Sequence, residues 1–387
     1  MNRLHPGLNY TLTFQEIKAL LGLSGRMNIE SLSTVIAEKE KIFFFDYARS
    51  ALRVALMTLP ASSVVGVQPF TCPTVVEAIK SAGCKIVFID INNQLVIETN
   101  DLKKKASRLD ALIVTHTFGY PIDVKSIREI MKDKIIIEDC AHAFMSTYKG
   151  EPVGREGDFA IFSFGFGKFP SAVQGGYLKV NNLHYVKAIQ LKYNKISSSG
   201  IVANAKLVIK ALLLSFLHKQ LVYKLFTVYL KQQNTQKNNF QKNTRREKQI
   251  YKCHFTALSL LYFDLIQSEK WLQQQQQNGR RILTALKNQT QFKICQQIDG
   301  MNYFMIPVLT ENPAEWINKM EKVGIEWGRH FVKSGNIMPK FGYLIGDCPM
   351  YDKLLPKILT IPCHYHYPEH LIRQIEYLFK EQKKILE

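Results

Sequence analysis

Two short segments, IIIEDCAHAF at residues 135–144 and DFAIFSFGFGK at residues 158–168, decide how this chain folds. Each contains a run of apolar and β-branched residues that gives way to polar or glycine-rich sequence, which is typical of a buried strand. The first run reaches Asp139 at its end. The second leads through Ser163 into a glycine-flanked turn that carries Lys168. Because ligands bind beyond the carboxyl ends of strands in open α/β sheets, we expect these side chains to share a site.

The same pattern of strands and helices extends outward from these segments. Strands are predicted at residues 41–45, 63–67, 85–89, 111–116, 134–138, 158–164 and 175–180. Helices are predicted at about 50–58, at 74–82 and at 124–131, the last capped by Asp123. Apolar strands that alternate with helices indicate an α/β fold with a mostly parallel central sheet and helices on both faces.

The chain divides into four parts by its sequence pattern. They are an N-terminal segment (1–40), a large α/β domain (41–185), a basic helical insert and loop (186–255), and a long helix followed by a small C-terminal α/β domain (256–387). In the last part we predict one long helix at 255–286, a strand at 302–309, a helix at 314–324 and a closing amphipathic helix at 370–386.

The composition is that of a globular protein, with 387 residues, 46% hydrophobic and 21% charged. The seven cysteines are scattered and form no CxxC pair, which indicates reduced thiols and argues against a disulfide framework or a zinc site. No export signal and no run of 18 uncharged apolar residues is found. We therefore expect a cytoplasmic protein without a bound metal.

Three segments carry the residue types that pyridoxal-phosphate (PLP) chemistry needs. Lys168 supplies an amine for an imine, and Asp139 supplies a carboxylate that keeps a pyridine nitrogen protonated. The tight turn in FDYARSAL at residues 45–52 leads into a helix, whose first N–H groups bind phosphate, and the Ser163 hydroxyl adds to them. Singly, a strand-end aspartate is more often a cap and a turn lysine is more often solvated. Together, their order predicts a PLP site.

In these segments the sequence resembles the DegT/DnrJ/EryC1/StrS sugar aminotransferases, which have the fold type I PLP architecture. The resemblance covers residues 40–182 closely and both ends loosely. The matching pieces are YARSAL (47–52), QPFTCPTVVEAIKSAGCKIVFIDI (68–91), THTFGYPIDV (115–124), IIEDCAHAF (136–144), YKGEPVGREGDFAIFSFGFGK (148–168), QGGYLKV (174–180) and LPKILTIPCHYHYPEHLIRQI (355–375). Many pieces in the same order make a chance resemblance improbable.

The resemblance assigns a role to several residues. Lys168 matches the Schiff-base lysine, Ser163 the phosphate-binding serine, and Asp139 the carboxylate at the pyridine nitrogen. His142 matches a Gln-or-His position close to the cofactor ring, although a satisfied core histidine is the other interpretation.

The sequence also departs from the family pattern at two sites. Ala48 and Arg49 match the phosphate-binding turn, where the family carries Ser-Gly in place of Tyr47-Ala48. The family's ring-covering aromatic is replaced by Cys72, with Phe70 two residues earlier as the other candidate or as a core residue.

The resemblance implies an aminotransferase that moves an amino group from glutamate to a keto group of a nucleotide-activated sugar, in surface-polysaccharide or amino-sugar biosynthesis. It also implies a homodimer. The family's Asn-Tyr-Arg segment is not recognisable, and Asn243-Thr244-Arg245 is a poor substitute. Arg329 is the candidate anchor for the donor's carboxylate. The alternatives are a PLP enzyme of another type, such as a sugar dehydratase, against which Lys168 argues, and a non-catalytic membrane-surface protein that keeps the fold.

The net charge of +19 favours anionic partners, and no nucleic-acid partner is expected. From Ala203 to Lys252 there are eleven lysines or arginines and one acidic residue. A long leucine-rich helix is predicted at 207–233, followed by a polar, basic loop at 233–248. One helix face is continuously apolar, formed by Leu207, Ala211, Leu214, Leu217, Leu221, Leu225 and Val228. Two interpretations remain open: a helix packed on the core or a dimer interface, and peripheral contact of residues 203–252 with an anionic inner membrane face.

Overall fold

The computed structural model describes residues 10–21, 32, 36, 41–219, 222–225, 249–295 and 298–380. Its centre is a seven-stranded sheet with a small hairpin beside it. In chain order the strands of this part are β1 Ile42–Phe45, β2 Val64–Val67, β3 Lys85–Phe88, β4 Ala111–Thr115, β5 Ile135–Asp139, the hairpin strands β6 Thr147–Tyr148 and β7 Glu151–Pro152, β8 Phe159–Ser163 and β9 Gly176–Val180.

The sheet has the strand order β1-β9-β8-β5-β4-β2-β3. The pairs among β8, β5, β4, β2 and β3 are parallel, and only β9 runs against its neighbours β1 and β8. This confirms the predicted mostly parallel sheet. All five residues of both β4 and β5 are buried, as expected for strands covered on both faces.

Helices cover both faces of this sheet. They are α1 Phe14–Leu20, α2 Ala48–Leu56, α3 Pro73–Ser81, α4 Thr99–Lys105, α5 Val124–Met131, α6 Val186–Asn194, α7 Ile201–Leu217 and α8 Phe255–Leu286. Successive strand residues enter different apolar clusters: Leu112 and Ile136 pack on one face, Ile113 and Ile137 on the other. Helix α2 begins two residues earlier than predicted, because Tyr47 already takes the extended N-cap conformation.

The small C-terminal unit is an antiparallel three-stranded sheet with short helices. Its elements are β10 Lys293–Ile294, β11 Ile306–Leu309, α9 Pro313–Lys322, α10 Val332–Gly335, α11 Pro349–Leu354, β12 Ile358–Ile361 and α12 Glu369–Lys380. Helix α8 has the predicted bounds. The end of the predicted closing helix, residues 381–386, lies outside the described part of the chain.

The strand predicted at 302–309 forms only from Ile306 onward, because Asn302 is bound to the large domain. Its backbone N–H donates to Ser146 Oγ at 3.1 Å, and its side-chain amide donates to the carbonyls of His142 and Phe144, both at 2.9 Å. These bonds hold the start of the segment against the loop after β5. Only the second half of the predicted strand therefore joins the C-terminal sheet.

The leucine-rich helix also differs from the prediction. Helix α7 begins at Ile201 and ends at Leu217, where the backbone N–H of His218 bonds the Leu214 carbonyl at 3.0 Å and its imidazole lies 2.8 Å from the same oxygen. Residues 222–225 are helical, and residues 226–248, which include the predicted basic loop, lie outside the described part. Among the described helices none is long and apolar enough to cross a membrane.

A buried pair of carboxyl groups joins α1 to α8. Glu16 of α1 and Asp264 of α8 are both buried and hydrogen-bonded to each other, and Asp264 also accepts the Ser171 N–H at 2.9 Å. Burial and the charge of Glu16 raise the pKa of Asp264 well above its usual range. Since Ser171 follows Lys168 in the same loop, this pair helps to hold the predicted cofactor lysine in place.

Asp264→Asn should raise the free energy of unfolding relative to that of the wild type, and this difference should grow as the pH rises. The folded state retains a proton on Asp264 that the unfolded chain loses above its ordinary value of 3.8, so wild-type stability falls with rising pH until the folded-state pKa is passed. The asparagine has no proton to lose. Urea unfolding between about pH 5 and pH 9 should show the variant gaining roughly 1–3 kcal/mol over the wild type. The exposed Asp133→Asn change is the control, and a constant difference across pH would contradict the assignment.

Candidate active site

The carboxyl ends of the central strands meet at one cavity of about 100 Å³. Seven of the eight predicted site residues line it: Ala48, Arg49, Cys72, Asp139, His142, Ser163 and Lys168. Asp139 and Ser163 are the last residues of β5 and β8, so the parallel pairing of these strands places both at one edge of the sheet. The structure thus brings together residues that lie up to 120 positions apart in the sequence.

Asp139 is a buried carboxylate with one backbone partner. It accepts the Ala141 N–H at 3.1 Å. Burial raises the pKa of its carboxyl above the usual value, while the Ala141 bond and the charge of Lys168 act in the opposite direction. A further cation in the cavity would stabilise its ionised form.

Lys168 sits in the turn between β8 and β9. Its backbone N–H bonds the Gly165 carbonyl at 3.0 Å, and Gly167 beside it has φ +76°. The Lys168 Nζ lies 5.5 Å from the centroid of the Phe304 ring. Burial lowers the pKa of Lys168, although the charges of Cys72 and Asp139 oppose that shift. A larger fraction of its amine is therefore neutral and nucleophilic than in a solvated lysine.

The N-terminus of α2 forms the opposite wall of the cavity. Tyr47 is its N-cap and makes no side-chain capping bond, so its side chain does not cover the first N–H groups of the helix. Gly176 lets this turn approach the sheet, since a Cβ there would lie 2.6 Å from the Ala48 nitrogen. Gly176 is also the strand partner of Ser163, so a hydroxyl and a helix N-terminus lie close together. Such an arrangement binds anions.

Aromatic rings form a third wall around His142. Its ring stacks on Phe304 at 4.4 Å between centroids, and on Phe118 and Phe331 at 5.9 Å each. Its Nδ1 accepts the Phe118 N–H at 3.3 Å, and burial lowers its pKa well below the ordinary value, so His142 is neutral with its proton on Nε2. Phe118 and Phe331 have left-handed backbones, with φ of 57° and 66°, a strain typical of functional sites.

Phe331 lines the cavity and was not predicted from the sequence. It follows Arg329 and His330 in WGRHF, a segment that we interpreted only for its arginine. Arg329 itself does not line the cavity: its guanidinium donates to the carbonyls of Ile358 and Pro356. In the sequence, the aromatic residues His330 and Phe331 directly after Arg329 are the signal that could have identified Phe331.

The two candidates for the ring-covering position are separated by the structure. Cys72 lines the cavity as N-cap of α3, with its Sγ 3.2 Å from Thr74 Oγ1. Phe70 is fully buried behind the cavity, with its ring 5.2 Å from that of Phe331 and 5.9 Å from that of Phe118. Phe70 therefore supports the aromatic wall from behind.

A buried polar cluster below the cavity joins the carboxyl ends of β4 and β5. His116 lies 3.0 Å from Glu138 through Nε2 and accepts the Ile122 N–H through Nδ1. Glu138 also accepts backbone N–H groups of Gly154 and Gly157. With Cys140 these residues have the ligand types of a metal site. Because both imidazole nitrogens and both carboxylate oxygens already have partners, the cluster acts as a scaffold.

A comparison with protein families now adds to this geometry. The model of the DegT/DnrJ/EryC1/StrS aminotransferase family matches residues 45–377. The chain belongs to this family.

Two relatives match parts of the sequence, and a solved structure has the same fold. GDP-perosamine synthase of Escherichia coli O157:H7 is 36% identical over 138 residues, or 34% of this chain and 38% of the relative. UDP-4-amino-4,6-dideoxy-N-acetyl-beta-L-altrosamine transaminase of Campylobacter jejuni is 33% identical over 162 residues, or 40% of this chain and 42% of the relative. The chain thus aligns with about two fifths of each relative's length. The PLP form of the putative sugar aminotransferase Spr1654 of Streptococcus pneumoniae has the same fold, with a TM-score of 0.74 at 16% identity over 98% of both chains.

This family member has a second cavity beside the first, of about 180 Å³. His330 lines the second cavity, whereas the next residue, Phe331, lines the first. Burial lowers the pKa of His330 to about 4, and its Nδ1 lies 2.8 Å from Thr360 Oγ1. His218 and Tyr223, which follow α7 in the insert, line the same cavity. The sequence pattern predicted neither of them as a cavity residue, because it marked only the apolar face of that helix.

Proposed function

We propose that this family member is a PLP-dependent aminotransferase that moves an amino group from glutamate to the keto group of a nucleotide-activated sugar. The observation that carries the proposal is the burial of the Lys168 amine and the Asp139 carboxylate in one cavity, beside a helix N-terminus without a side-chain cap. The names of the relatives, which act on GDP- and UDP-linked sugars, support the acceptor class. A cytoplasmic role in surface-polysaccharide or amino-sugar synthesis follows from that acceptor.

The residues of the cavity fit PLP. The N-terminus of α2 and the Ser163 hydroxyl would hold the phosphate, and Asp139 would pair with the pyridine nitrogen. A protonated pyridine is the cation that would stabilise the buried Asp139 carboxylate. The flat ring of His142, stacked on Phe304, would lie against the cofactor ring.

PLP, when bound, supplies an electron sink for the carbon that carries the amino group. The protein's part is to position groups and to move protons. The Lys168 amine, with its lowered pKa, is suited both to attack a carbonyl and to carry a proton to and from the substrate carbon. The pKa values of His142 and His330 are lowered by burial, so both imidazoles are neutral and the Lys168 amine is the better proton acceptor beside them.

The second cavity would take the sugar. Its polar lining groups, His218, Tyr223, Glu326 and His330, offer hydrogen bonds for hydroxyl groups, and Trp327 and Phe166 offer apolar faces for the ring. The chain's own insert would thereby help to select the acceptor. Among the described residues of this lining Glu326 is the one acidic group, and a lining with little negative charge suits a substrate that carries a diphosphate.

A second subunit would complete the site on its other side. A cavity of about 560 Å³ borders the phosphate turn at Tyr47 and Arg49. Asp46 and His254 line this cavity. The Oδ1 atom of Asp46 and the Nδ1 atom of His254 are buried and have no hydrogen-bond partner among the described residues. Polar groups from a two-fold-related copy would satisfy them. The residues 243–245 that were considered for this role lie outside the described part.

The cofactor assignment predicts labelling of a single lysine. Borohydride treatment of the PLP-loaded protein, followed by peptide mapping, should place the pyridoxyl mass on Lys168. Lys168→Arg keeps the charge but should lose the label and the visible absorbance band. A label on another lysine would refute the assignment. A loaded protein without visible absorbance would favour the non-catalytic alternative.

The reaction assignment predicts amino transfer to a keto-sugar. Purified protein with PLP, glutamate and a panel of nucleotide keto-sugars should give a product one amino group richer by mass spectrometry. Asp139→Asn is isosteric and should retain PLP but slow turnover by about 100-fold, or roughly 2.7 kcal/mol. Loss of water from the sugar without amino transfer would show the dehydratase alternative instead. Wild-type rates in Asp139→Asn would refute the role of the carboxylate.

The assembly proposal predicts a dimer in dilute solution. Sedimentation velocity should give twice the mass of the chain. His254→Ala should weaken the dimer or the cofactor affinity, because a polar group of the partner subunit would lose its hydrogen bond to His254 Nδ1. Full activity in a sedimenting monomer would contradict the proposal.

A further inference from the structure

Helix α7 carries an exposed apolar stripe that neither the proposed reaction nor the core uses. Ile209, Leu213 and Phe216 are 57%, 54% and 54% exposed, and they follow one another at steps of three or four residues. Ile201 and Val202 at the start of the helix are exposed as well. Contiguous apolar surface of this kind marks an interaction site.

The opposite side of α7 is fixed to the protein. Leu207 and Ala211 are buried in the apolar cluster that includes Leu261 of α8. This is the face that the sequence singled out as a membrane or packing face, and the structure uses it for packing. The stripe is therefore presented on a helix held in place by the enzyme.

Polar bonds at both ends also anchor the helix. The Asn204 Oδ1 accepts the Thr256 N–H at 3.4 Å, and Ser215 Oγ accepts the Leu12 N–H at 3.2 Å. Substitutions on the exposed stripe leave these anchors intact.

The charge around the stripe decides which partner fits it. Lys206 and Lys210 are exposed on α7, and the helix has no acidic residue. The described residues 203–219 and 222–225 contain four lysines and no acidic residue. A second copy in a two-fold contact would oppose this basic surface to itself, which costs energy. An anionic bilayer offers both an apolar interior for the stripe and a negative surface for the lysines.

We propose that α7 docks this enzyme peripherally on anionic membranes, with Ile209, Leu213 and Phe216 inserted at the headgroup level and Lys206 and Lys210 paired with lipid phosphates. The stems of the two lysines lie along the apolar surface while their amines reach the charged layer. The attachment is reversible and weakens with salt, since part of it is screened electrostatics. It acts independently of the amino-transfer reaction.

Vesicle flotation tests the proposal on the full chain. Wild-type protein should float with vesicles of phosphatidylcholine mixed with phosphatidylglycerol at low salt, and should float less at high salt or with phosphatidylcholine alone. Ile209→Glu combined with Phe216→Glu should reduce the bound fraction by about tenfold or more, because two buried apolar contacts become charges repelled by the surface. Lys206→Gln combined with Lys210→Gln should reduce binding to the anionic vesicles selectively.

The matched control is Leu344→Glu combined with Ile345→Glu, which changes two apolar residues that are 68% and 90% exposed in another part of the surface. This control should float like the wild type. All variants should retain the thermal unfolding midpoint and the visible absorbance of the PLP-loaded wild type, which separates this proposal from the catalytic one. Absence of wild-type flotation at low salt, or equal flotation of the Ile209 and Phe216 variant, would overturn it. Conversion of a dimer to a monomer by that variant, without vesicle binding by the wild type, would assign the stripe to a second copy.

Discussion

The burial of an amine and a carboxylate in one small cavity is the constraint on which the rest of the structure depends. Lys168 and Asp139 line the same cavity, and burial shifts the pKa of each toward its neutral form. Removing ionisable groups from water is costly unless they are paired and held in place. The surrounding fold therefore has to fix these groups closely, and a charged cofactor would relieve part of the cost.

Buried polar residues outside the cavity provide that rigidity. Glu138 joins the end of β5 to His116 and to the backbone around Gly154, while Asn302 ties the small domain to the loop that carries His142. Asp264 holds the loop after Lys168. Each of these side chains forms hydrogen bonds with backbone groups of loops, which have no partner in a β-sheet. Loss of any of these side chains would leave such backbone groups unpaired.

The insert contributes both to the second cavity and to the exposed surface. One end of α7 leads to His218, which lines the second cavity, and its exposed stripe faces away from the core. If the stripe rests on a membrane, the second cavity lies near that membrane too.

The sequence by itself determined the sheet, the long helix and the positions of Asp139, Ser163 and Lys168, because these depend on local periodicity and on residues next to strand ends. Only the tertiary structure decided that Phe331 lines the cavity and that Phe70 and Arg329 do not, since each side chain's direction depends on packing between two domains. It also decided how the apolar face of α7 is used. The periodicity marked the face of Leu207 and Ala211 but left packing and membrane contact open, and the structure packs this face against α8.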